Sequence, residues 1–120
     1  MDSAWIASYC LSKNGAVKDY QMEWEAIRYL LQGKMFGMQG EDKDGRAILT
    51  LKLAPAQGEL LHQEHEGKII PGYYMNKTHW NSLYLDQDIS EDLVKSMIDE
   101  SYQLIFSSLS KAKQNEIENR

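Results

Sequence analysis

Asn76, Lys77, His79 and Asn81 fall within six consecutive residues, interleaved with Thr78 and Trp80. A lysine meets a phosphate, amides donate and accept, an imidazole titrates near neutrality, and an indole stacks on a flat ring. Together they suit contact with a polyanion, with Tyr73 or Trp80 packing on sugars or bases. From residue 68 to residue 85 there is no Asp or Glu, although the chain carries 18 acidic residues. That window holds Lys68, Lys77 and His79, and Tyr73, Tyr74, Trp80 and Tyr84 among its aromatics. Lys34 and Lys52, with Arg46 nearby, could extend a basic row across an exposed sheet face. The same residues also suit a buried hairpin, in which Asn76-Lys77-Thr78 is a turn that needs an asparagine and Trp80 is core. Lysines on a sheet face or edge also discourage edge-to-edge association. Both readings stand at this point.

Other residues carry less chemistry. His62 and His65 are three apart on an expected short helix, but no third metal ligand accompanies them. Asp42, Asp44 and Gly45 lack the later ligands of a calcium loop. Cys10 lies on an apolar stripe without an identifiable base, and Arg28 reads as solvated or ion-paired. Glu23 and Glu25, on the same side of an expected strand, read as solvated. No catalytic constellation is visible, so the reading leans away from an enzyme, with no cofactor and no metal.

The composition bounds the class. A chain of 120 residues with 42% hydrophobic and 26% charged residues fits one globular domain. No apolar run is long enough to span a bilayer, the N-terminus lacks the pattern of a signal peptide, and one cysteine suits a reducing compartment. A cytoplasmic monomer without membrane contact is expected. The net charge of −5 opposes generic nucleic-acid binding, but its distribution is uneven. Residues 68–85 hold 2 basic and 0 acidic residues, whereas residues 86–120 hold 4 and 8.

The elements that must position these residues follow from periodicity. Asp2 or Ser3 caps a first helix with Trp5, Ile6, Tyr9 and Cys10 on one side, stopped by Asn14-Gly15. Residues 17–22, 24–31 and 35–38 read as strands, with Gly33-Lys34 as a tight turn, although 24–31 also fits a short helix. Asp44-Gly45 turns the chain into an alternating, half-buried strand through Ala47, Leu49, Leu51 and Leu53. Pro55 opens a short helix anchored by Leu60 and Leu61 and ended by Gly67. Pro71-Gly72 is a turn, and residues 73–75 and 80–85 read as two further strands. Asp88 and Glu91 form a capping pair for a long helix that buries Leu93, Val94, Met97, Ile98, Tyr102, Ile105 and Leu109. Residues 1–110 form the domain, and 111–120 read as a frayed polar extension. The order of helix, consecutive strands, short helix, two strands and long helix predicts a two-layer α+β fold. It has an antiparallel sheet of about five strands, with helices on one face.

The chain resembles the MmcQ/YjbR family of small bacterial proteins from residue 2 to residue 109. The resemblance rests on Gly33-Lys34-Met35-Phe36, on Asp44-Gly45-Arg46 with Leu49-Thr50-Leu51-Lys52, and on the block Met75-Asn76-Lys77-Thr78-His79-Trp80-Asn81. Ser101-Tyr102 also fits. It implies a frataxin-like (CyaY-like) fold and a proposed DNA-binding role through a double-wing arrangement, with no catalytic activity attached. Tyr74 stands where many members carry His. On this reading DNA contacts fall on Lys34, Lys52, Tyr73, Asn76, Lys77, His79 and Trp80. The alternative is a protein- or small-ligand-binding adaptor that uses the same aromatic face.

Overall fold

The computed structural model describes residues 3–72 and 75–119. In chain order the elements are α1 (Trp5–Leu11), β1 (Ala16–Gln21), β2 (Ala26–Leu31), β3 (Lys34–Glu41), β4 (Ala47–Lys52) and α2 (Pro55–Glu64). They continue with β5 (Ile69–Pro71), β6 (Trp80–Tyr84), α3 (Glu91–Ser108) and α4 (Lys111–Glu118). The six strands form one sheet in the order β1-β2-β3-β4-β6-β5, every neighbour antiparallel. This is the expected α+β architecture.

Cross-strand partners share a face of a sheet, so the register sorts the side chains. One row runs Ile27–Gln39–Leu49–Leu83–Ile69. The next runs Arg28–Met38–Thr50–Ser82–Ile70 and faces the other way. Leu49, Leu83 and Ile69 join Ile6 and Cys10 of α1, Leu61 of α2, Val94 and Ile98 of α3 and Ile117 of α4 in the core. The four helices therefore cover one face. On the other, Met38, Ile48, Thr50 and Ser82 are also buried. β4 is thus buried on both sides, which the alternation of leucines with Ile48 and Thr50 conceals.

Local chemistry explains most differences from expectation. The β2–β3 turn is Gln32-Gly33, with φ of 51° and 81°, and Lys34 pairs with Leu31 as the first residue of β3. Two positive φ angles match the right-handed twist of a two-residue hairpin. In the β3–β4 turn Gly45 has φ 79°, while the Asp42 carboxylate accepts from the N–H groups of Asp44 and Arg46. Ser90, not Asp88, caps α3, its hydroxyl accepting from the N–H of Leu93 at 3.0 Å. Ala4 is the cap residue of α1 and supplies no side-chain bond; the expected Asp2 cap lies outside the described residues. Leu60 is 47% exposed, so Leu61 alone anchors α2.

Two elements differ in place from expectation. The strand that pairs with β6 is Ile69–Pro71, upstream of the tyrosines, and Pro71 belongs to it rather than to a turn. Met75 sits in a bend, and the expected strand residues Tyr73 and Tyr74 lie outside the described residues. Residues 111–118 are not frayed: Ser110 caps α4 through Lys113 N–H, and Ile117 is buried. Its carbonyl accepts from Asn14 Nδ2 at 2.7 Å, tying the helix back to the start of β1.

Candidate functional site

The helix-free face is shaped by three turns. At the tip of the β1–β2 hairpin, residues 22–25 close with Trp24 N–H to Gln21 O and Glu25 N–H to Met22 O. Glu25 closes the turn at φ 50°, a left-handed conformation that costs a side-chain-bearing residue about 1 kcal/mol. Gly40 lets this hairpin lie close, since a Cβ there would stand 3.1 Å from Ala26 Cβ. The β3–β4 turn brings Glu41 and Asp42 beside it, and Met75 joins Met38 in the same lining.

Between these turns lies a cleft of about 550 Å3. Met22, Trp24, Met38 and Met75 supply its apolar lining, and Glu23, Glu25, Glu41 and Asp42 its polar lining. Met38 is buried at the sheet surface, whereas Met22 is 79% and Trp24 51% exposed. Among the described residues that line it there is no Lys, Arg or His. The arginines of this face serve other carboxylates. Arg28 pairs with Asp19 through two bonds of 2.9 and 2.6 Å. Arg46 lies 3.5 Å from the Tyr84 ring centroid and pairs with Asp86 at 2.9 and 3.0 Å. Each arginine holds its partner carboxyl below the ordinary aspartate value. Asp42 is also lowered, chiefly by the backbone N–H of Arg46.

A model of the YjbR family matches residues 11–104. The chain belongs to the YjbR family. Its YjbR relatives include Escherichia coli YjbR, described as uncharacterized, which is 32% identical over 98 residues, 82% of this chain and 81% of that protein. Escherichia coli YbdF is 37% identical over 89 residues, 74% and 71% of the two chains. A Deinococcus radiodurans crystal structure of domain DUF419 superposes with a TM-score of 0.84 at 26% identity, covering 93% of this chain and 84% of that one. The YjbR family is thus bacterial in these relatives and shares this fold.

In this YjbR chain Lys34, Lys52 and Trp80 lie at the opposite end of the sheet from the cleft's carboxylates. Lys52 closes β4 and pairs with Trp80, the first residue of β6, on the helix-free face. Lys34 opens β3 on the helix face, its Nζ donating to Ser108 Oγ at 3.2 Å. Lys34 and Lys52 therefore share an end of the sheet but not a face, and the expected row across one face does not form. Asn76 builds a turn: its Oδ1 accepts from Thr78 N–H at 2.8 Å and its carbonyl from Trp80 N–H at 2.9 Å. His79 is half-buried, with its carbonyl accepting from Leu53 N–H and Asn81 Nδ2. Trp80 is half-buried and Lys77 exposed. Tyr73 lies outside the described residues.

Sequence reasoning passed over the cleft itself. Glu23 and Glu25 sit in a turn, not on a strand, and line the cleft rather than a plain solvated edge. The available cue was two acids interleaved with Met22 and Trp24, large apolar groups that hairpin tips rarely expose. Among the described residues no three His, Cys, Asp or Glu side chains group as metal ligands. Cys10 is buried, its thiol pushed up to about 12 by desolvation, which suppresses the thiolate. No described helix is long and apolar enough to cross a membrane.

Proposed function

We propose that this protein is a non-catalytic binding module that takes a small ligand in the cleft on its helix-free sheet face. One observation carries the reading: a concavity of about 550 Å3 in which Met and Trp side chains meet converging polar groups. That volume and lining suit a small molecule, with apolar walls for affinity and a few polar groups for orientation. The direct test leaves Trp24 as the one tryptophan, through Trp5→Phe and Trp80→Phe, and follows its emission against a fragment library. Saturable changes support the cleft; a library without effect removes it.

DNA contact is a second reading, supported by the grouping of Lys34, Lys52, Lys77 and His79 at the sheet end away from the acids. Its test is anisotropy of labelled single- and double-stranded DNA from low to physiological salt. The reading requires Lys77→Glu to weaken binding and lower the log–log salt slope by about one. Undiminished binding in that variant removes it. Helix-first, sheet and helix-last order supports a CyaY-type classification, and the lone buried Cys10 supports a cytoplasmic setting.

A further inference from the structure

We infer that the cleft selects an organic cation: an aryl or alkyl ammonium whose apolar body packs on Trp24 and the three methionines. This inference rests on the cleft being a ligand site and names the ligand class. Two independent features meet there. Four carboxylates line the cleft with no cationic residue among the described lining residues, so the local field favours positive charge. The lining beside them is an indole and thioethers, not hydroxyls or amides. An indole face attracts a cation through its quadrupole, and thioethers adapt to irregular apolar bodies. A phosphate or carboxylate ligand would meet like charge on every polar side.

The carboxylates also differ in availability. Asp42 is committed to the N–H groups of Asp44 and Arg46. Among the described residues, the salt bridges found do not involve Glu23, Glu25 or Glu41. Glu25 is held at the lip by its left-handed backbone, where a glycine would form the turn without strain.

The test is calorimetric titration with three probes of one shape: 2-phenylethylammonium, 2-phenylethanol and 3-phenylpropionate. The cation should bind at least tenfold more tightly than the alcohol, weaken as salt rises, and exclude the anion. Replacing Glu23, Glu25 and Glu41 by Gln together should cost the cation about tenfold and leave the alcohol unchanged, about threefold or less for each carboxylate. Glu41→Gln alone serves if the triple variant fails to fold. Cation and alcohol binding within twofold of each other overturns the charge inference while the cleft stands as a ligand site. Absence of binding by all three probes overturns both.

Discussion

Thr50 and Ser82 share a hydrogen bond of 2.7 Å between β4 and β6, both fully buried on the sheet face that carries no helix. A polar pair at that depth is tolerated because each hydroxyl satisfies the other. It also fixes the two strands whose far ends carry Tyr84 on one side and Trp80 on the other.

Ser82→Ala takes from the Thr50 hydroxyl its partner inside the sheet. The expected loss is about 1–2 kcal/mol, the cost of a buried group left with fewer bonds. Thr50→Val combined with Ser82→Ala should lose less than the sum of the two single changes. Urea unfolding of the four-member cycle checks it, and simple additivity would contradict the pairing.

Gly58→Ala separates helix propensity from packing. In an exposed helix this change gains about 1 kcal/mol. Here the new Cβ would lie 2.6 Å from Asn81 Oδ1. Asn81 is buried and donates to the His79 carbonyl, so it cannot swing aside without losing that bond. The predicted result is a loss of about 1–3 kcal/mol, read as a lower urea midpoint. A gain would show that Asn81 moves freely.

Glu25→Gly should raise stability by about 0.5–1 kcal/mol, because glycine adopts the φ of 50° without steric cost. Glu25→Gln keeps the strain and should leave the midpoint nearly unchanged. Thermal unfolding of both variants decides it; equal melting temperatures would remove the strain argument. A chain that retains a less stable residue at a cleft lip fits a site where function opposes stability.

Acid should act through three aspartates. The folded-state values of Asp19, Asp42 and Asp86 lie below the ordinary carboxylate value, held there by Arg28, by the Arg46 backbone N–H and by the Arg46 guanidinium. A lowered folded value means stability present above about pH 3.9, the ordinary aspartate value, and lost as pH falls through the folded value. Melting temperature should therefore hold between about pH 7 and 5 and decline below about pH 4. The combined Asp→Asn variant should show a shallower acid limb, and an unchanged limb would contradict the assignment.

Much of the fold is legible along the chain. Leu49, Leu51 and Leu53 alternate, Val94, Met97, Ile98 and Ile105 recur at helical spacing, and Pro55 opens α2. What escapes is non-local. Ile117 is a lone apolar residue in a polar segment, and its burial depends on contact with residues around Gly15 a hundred positions earlier. β5 is only three residues long, so the neighbouring tyrosines outweigh it in β-propensity. The lysine-bearing window was visible because its residues are consecutive. The cleft was not, because residues 22–25, 41–42 and 75 meet only once the sheet order is set.

The most direct measurement is a carbon-13 methyl spectrum of methionine-labelled protein, titrated with 2-phenylethylammonium. Met22, Met38 and Met75 line the cleft, whereas Met97 is in the helix-side core and Met35 is the second residue of β3, near the lysine-bearing end. The account predicts that the first three methyl signals move together and saturate while Met35 and Met97 stay in place. Movement at Met35 or Met97 without the other three, or no movement at all, would contradict it.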